Sequence, residues 1–209
     1  MSDSATNSLN ALLQAEPRLW RARDARARQT AVRPTGHARL DTALPGGGWP
    51  EAGMIEVVVE ARQPPPLHPF LPAMADCTRA GQRIVLVDAP ADLVPFTPAW
   101  QQAGINPDGL LLVRSDDRAN AWWVIETALR SEACGLVLAW PCTHGRQVDV
   151  AAMRRWQVAA AAGRCLGVLF TPARRRAHAP NVHLRLHVQG DRLRVLKARG
   201  SHQCPVVSL

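Results

Sequence analysis

Seven histidines, five cysteines and seventeen acidic residues are available for chemistry in this 209-residue chain, and their spacing decides which can act together. His183 and His187 lie four apart in the alternating run Val182–Val188, so they share one strand face. A metal there needs a third ligand from elsewhere, and a solvated strand face explains the pattern without one. Ser115, Asp116 and Asp117 fall at the carboxyl end of a strand, where α/β sheets hold their ligands. The same residues before a helix also make an ordinary N-cap, which suffices to explain them. Asp88 ends the run Arg83–Asp88 and reads as a strand-end cap. The cysteines (Cys77, Cys134, Cys142, Cys165, Cys204) are odd in number, scattered and never spaced as C-x-x-C. They read as thiols of a reducing compartment, Cys134 and Cys165 as small core residues. No catalytic constellation, metal site or cofactor site is expected.

The arginines are the more informative group. Net charge is +8, and it divides into +3 over residues 1–33, −2 over 34–171 and +7 over 172–209. A near-neutral middle with two basic ends suits ends that meet an anionic partner. One cluster is Arg18, Trp20, Arg21 and Arg23, a basic and aromatic mix suited to nucleic acid or a docking groove. A helix packing Trp20 inward explains it equally simply. The others are Arg174, Arg175 and Arg176, read either as a DNA contact or as a solvated loop, and Arg192, Arg194, Lys197 and Arg199 near the end. Trp122 and Trp123 are adjacent on a predicted helix and point about 100° apart. At least one of them is therefore expected to meet a partner or a lid segment.

The elements that must position these residues follow from periodicity. Residues 1–33 read as a basic helical arm, and Pro34–Pro50 as loop, short helix and glycine turn. Apolar β-branched runs then alternate with helical stretches. Strands are predicted at Met54–Glu60, Arg83–Asp88, Leu110–Arg114, Gly135–Trp140 and Cys165–Thr171, and helices at Pro69–Ala80, Phe96–Ala103, Asp117–Glu132 and Val148–Ala162. Near-continuous apolar strands joined by helices mean a mostly parallel sheet covered on both faces. Val182–Val188 and Arg192–Lys197, joined by Gly190-Asp191, alternate with period two and form an antiparallel hairpin at the sheet edge. The expected organisation is an arm (1–33), an α/β core (34–200) and a C-terminal tail (201–209). No stretch has the ~18 apolar residues of a membrane helix, and the first residues carry no secretory pattern, so a cytoplasmic, nucleoid-associated location is expected.

The stretch Thr35-Gly-His-Ala-Arg-Leu-Asp-Thr-Ala-Leu-Pro-Gly-Gly-Gly-Trp-Pro-Glu-Ala-Gly-Met-Ile-Glu56 resembles the lead-in to the first strand of RecA-like recombinase cores. The resemblance covers about residues 34–200. Within that superfamily, Trp49 after the glycines, the arginine-rich arm and the short length look most like the ImuA family of SOS-linked translesion-synthesis accessory proteins. The RecA resemblance implies a phosphate loop after Glu60, whose G-x-x-x-x-G-K-[ST] pattern supplies backbone N–H groups and a lysine. Here Ala61–Phe70 contains neither glycine nor lysine, its four prolines lack N–H donors, and the only lysine of the chain is Lys197. It also implies a water-activating glutamate where Pro90 stands and a magnesium-linked aspartate where Trp140 stands. Neither replacement can act as base or ligand. Lys197 and Arg199 match the two basic residues of the RecA terminal hairpin that reach a neighbour's nucleotide.

The expectation is thus a non-catalytic RecA-like protein, a degenerate ATPase core that works by binding. The ImuA resemblance implies a partner like ImuB, an inactive Y-family polymerase relative, together with its error-prone polymerase complex, and further partners in RecA and single-stranded DNA. The alternative is a SulA-like inhibitor that binds the division GTPase. SulA needs no basic tail, so salt-sensitive DNA binding separates the two.

Overall fold

In the computed structural model the described residues are 31–60, 66–91, 93, 97–141, 148–173, 182–201 and 203–209. The chain clusters into units 1–30 and 31–209, and all described residues lie in the second.

A two-residue strand β1 (Val32–Arg33) pairs antiparallel with β2 (Trp49–Pro50). Between them come helix α1 (Ala38–Ala43) and a single turn at Pro45–Gly47. Strand β3 (Gly53–Val59) then enters the main sheet. It is followed by a turn at His68–Phe70, helix α2 (Leu71–Arg79), β4 (Arg83–Val87), α3 (Thr97–Gln102) and β5 (Leu110–Val113). Helix α4 (Arg118–Arg130), β6 (Cys134–Ala139), α5 (Val150–Ala162) and β7 (Leu166–Pro172) complete the alternation. The chain ends in β8 (Leu184–Gln189), β9 (Arg192–Ala198) and β10 (Val206–Ser208).

These strands form one eight-stranded sheet of order β10-β9-β8-β3-β7-β6-β4-β5. All pairs from β8 through β3 to β5 are parallel, while β8-β9 and β9-β10 are antiparallel. This is the expected mostly parallel α/β sheet with a terminal hairpin. One apolar layer on the α1–α2 side joins Leu40, Trp49, Ile55, Phe70, Leu138, Phe170 and Leu186. The opposite layer, under α4 and α5, joins Met54, Ile125, Val137, Trp156 and Leu169. Strands buried on both faces must be apolar throughout, which is why β6 reads Cys-Gly-Leu-Val-Leu-Ala.

Two expected boundaries shift. Val32 and Arg33, assigned to the arm, hydrogen-bond within the core unit, and residues 206–208, assigned to the tail, add a strand beyond the hairpin. In both places short segments are held by backbone pairing, which leaves little trace in hydropathy. Of the four described cysteines, Cys77, Cys134 and Cys165 are buried free thiols and Cys204 is exposed. Burial raises the Cys77 thiol to about 11 and pushes the Cys165 thiol higher still. Among the described residues no helix is long and apolar enough to cross a membrane.

Candidate functional site

A doubly wound sheet offers its ligand site beyond the carboxyl ends of the strands, and a helix N-terminus after the first strand is the usual phosphate seat. Here that helix is α2. Phe70 precedes it without a side-chain cap and Pro72 sits in its first turn, so one backbone donor is missing. The Phe70 ring turns into the protein. It stacks on Trp49 (centroids 5.0 Å apart) and meets Phe170 of β7 edge-on (6.3 Å). Phe170 in turn stacks on Trp140 at 4.6 Å and 12°. Trp140 follows β6, and its amide donates to the Val87 carbonyl, so the ring is fixed beside the carboxyl end of β7. All four rings are buried. The α1–α2 side of the sheet is therefore filled at this end by a continuous aromatic column. Residues 61–65, the first half of the stretch where a phosphate loop would run, lie outside the described residues.

Asp88 also stands at a strand end, in the left-handed region at φ 53°, and its carboxylate accepts from the Ser115 amide at 2.7 Å. That bond ties the ends of β4 and β5 together. Asp117 caps α4 by accepting from the Asn120 amide at 2.9 Å, the N-cap role expected for this cluster.

The second candidate region is the open face of the terminal strands. Leu193, Val195 and Ala198 point into the core, so Arg192 and Arg194 point to the other face, and both are exposed. Arg194 is flanked in register by His187 and Val206, Arg192 by Gln189 and Ser208. Residues two apart on a strand are ~6.7 Å apart, so the two guanidinium stems form a short cationic row. Lys197 is half-buried and sits opposite Arg185. Arg199 is exposed just beyond β9, and its guanidinium lies 3.4 Å from His183 Nε2. Thus β9 and its end bring together four of the predicted binding residues. The remaining ones, Arg18, Trp20, Arg21, Arg23, Arg174, Arg175 and Arg176, lie outside the described residues.

Two expectations on this face are corrected. His183 does not share a wet strand face with His187. It precedes β8, is buried, and its amide donates to the Met54 carbonyl. Burial, with Arg199 nearby, lowers it to about 4, so the ring is neutral. Gly53, at φ 122°, has no side chain because a Cβ there would run into the His183 ring. His187 instead pairs with Glu60 at 3.0 Å. Arg185, expected in solvent, is largely buried and bridges Glu56 at 2.9 Å; Thr171 donates to the same carboxylate at 2.8 Å. Sequence reading missed this cluster, although a glutamate inside Met-Ile-Glu-Val-Val-Val is a visible signal. Among the tryptophans, Trp122 packs edge-on against Trp156 beneath Arg118, whereas Trp123 is 66% exposed.

Comparison with curated proteins matches this chain to RecA. It is 33% identical to Streptomyces ambofaciens RecA over 110 residues, 34% to Salinispora arenicola RecA over 114, and 33% to Bacillus pumilus RecA over 108. The fold of the core is RecA-like. The matches cover 50–53% of this chain, and the chain spans less than a third of those relatives, 28–31%. No family model matches. Among solved structures, SulA from Pseudomonas aeruginosa aligns with 20% identity and a TM-score of 0.42, covering 56% of this chain and 97% of that one.

Proposed function

We propose that this chain is a non-catalytic RecA-like accessory protein of the ImuA kind, which acts in SOS-induced translesion synthesis by binding rather than by turning over ATP. The observation that carries the non-catalytic part is the aromatic column Trp49–Phe70–Phe170–Trp140 at the nucleotide end of the sheet. Seating phosphates against buried rings forfeits their hydration with no charged donor to replace it. The absence of any lysine but Lys197 supports the same reading. The polymerase-recruiting role rests on the resemblance around Thr35–Glu56 and on the basic ends. In this reading the partners are an ImuB-like polymerase relative with its error-prone polymerase complex, and RecA. Single-stranded DNA lies along Arg192, Arg194, Lys197 and Arg199, and the protein works at the nucleoid.

The test pairs three measurements on the full chain. Titration with magnesium-ATP to millimolar concentration is expected to give no saturable binding, and saturation would refute the non-catalytic reading. Fluorescence anisotropy on single-stranded DNA is expected to show a log–log salt slope that drops by about 1.4 in Arg192→Ala/Arg194→Ala, at ~0.7 per lost phosphate contact. Capture from damage-induced cells is expected to retrieve polymerase-complex components. Retrieval of the division GTPase instead would overturn the recruiting role.

A further inference from the structure

The cations of β9 and its end fall at 192, 194, 197 and 199, so strict alternation would send Lys197 and Arg199 to the buried face. A bulge at Leu196 prevents that. Leu186 pairs with Val195, and the preceding residue Arg185 pairs with Lys197, which leaves Leu196 unopposed. Arg192, Arg194 and Lys197 therefore stand opposite Gln189, His187 and Arg185. Arg199 donates its amide to the His183 carbonyl and so carries the register one rung further. These partners follow one another at every second residue, whereas the cations themselves are unevenly spaced in sequence. The bulge thus turns an irregular pattern into one row on the open face, with a repeat of ~6.7 Å and a length of about 20 Å. Arg192, Arg194 and Arg199 are exposed and Lys197 is half-buried. Glu56 and Glu60, on the far side of β8, are taken up by Arg185 and His187, so the row keeps its cationic character.

Resting on the DNA-binding part of the function proposed above, we infer that this row is a phosphate ladder for one extended DNA strand, with a phosphate on each cation and the bases turned away from the sheet. A nucleotide and a dipeptide contain the same number of backbone bonds, so an extended DNA strand repeats at about the ~6.7 Å of alternate strand residues. The backbone of a duplex instead winds about its axis, advancing only ~3.4 Å per phosphate, and leaves a linear row after a few contacts. The geometry therefore selects a single strand, although counterion release alone favours the more densely charged duplex. Base stacking has no platform here. Among the described residues this face carries no tryptophan or phenylalanine, the chain has no tyrosine, and the His187 ring is held by Glu60. Contacts confined to phosphates carry no sequence information. Bases held off the surface keep their pairing edges free, which suits passing a template on rather than reading it.

The test compares the full chain with Arg192→Ala/Arg194→Ala/Arg199→Ala, whose fold is checked by circular dichroism. Fluorescence anisotropy over a range of salt concentrations uses three probes of equal length, a thymidine strand, the same strand with abasic sites, and a duplex. On the thymidine strand the triple variant is expected to lower the log–log salt slope by about 2.1, at ~0.7 per lost phosphate contact. The abasic strand should show the same loss, because no base is touched. The duplex should lose less than about 1, the share of a single contact at ~0.9 per phosphate. A loss below ~1 on the thymidine strand, a clearly smaller loss on the abasic strand, or a duplex loss as large as the single-strand one overturns the ladder while leaving DNA binding by the chain in place. If none of the probes binds the unaltered chain, the DNA-binding reading falls and the ladder with it.

Discussion

Replacing Arg185 by leucine leaves the Glu56 carboxylate inside the sheet without its cation. The pair is 2.9 Å apart and its side chains are only 15% and 7% exposed, so water cannot take over the lost interaction. The Thr171 hydroxyl, at 2.8 Å, remains as a donor to the carboxylate. Breaking a buried pair from one side costs about 3–5 kcal/mol, against a typical domain stability of roughly 5–15 kcal/mol. For a chain of this size that lowers the melting temperature by about 6–20 °C. The double change Glu56→Leu/Arg185→Leu removes both charges and, among the described contacts, leaves the Thr171 hydroxyl without its acceptor, a cost of about 1–3 kcal/mol. Urea denaturation of the four proteins in a double-mutant cycle measures each step. A loss below ~1 kcal/mol for Arg185→Leu, or a double variant as unstable as the single one, would refute the claim that burial makes this pair interdependent. The result bears on the proposed function too: an arginine committed to Glu56 does not serve an anionic partner, which leaves that role on this face to Arg192, Arg194, Lys197 and Arg199.

Asp88→Ala removes the acceptor of the Ser115 amide and places alanine in a left-handed conformation, so stability should fall by about 1–3 kcal/mol while partner capture is retained. Loss of capture by a folded variant, checked by pull-down beside a melting curve, would give Asp88 a functional role. His183 supplies a pH dependence. Its folded value of about 4 lies below the unfolded 6.5, so the unfolded chain binds the proton more readily. Stability should be at its full value above pH 6.5 and fall by up to about 3 kcal/mol as pH drops toward 4. His183→Gln should flatten that part of the stability–pH curve, and an unchanged slope would contradict the burial argument.

Local pattern was enough to read the alternation of strands and helices, the terminal hairpin and the caps at Asp88 and Asp117, because each depends on residues within one or two turns. The missing lysine and glycines after Glu60 were equally plain, being facts of composition. Strand order was not. Leu110–Val113 has the apolar run of an interior strand, and only the topology, which among the described residues places β5 beside β4 alone, makes it an edge. The alternation of Val182–Val188 put Arg185 on a face opposite the leucines, but not against Glu56, 129 positions earlier; the parallel β3–β8 register did that. Likewise Trp49, Phe70, Trp140 and Phe170 are unremarkable along the chain and become one column only because β6 and β7 are neighbours and α2 packs over them. Hydropathy records which residues leave water. Which of them meet is set by the pairing of distant strands, whose hydrogen bonds run through backbone groups that every sequence shares.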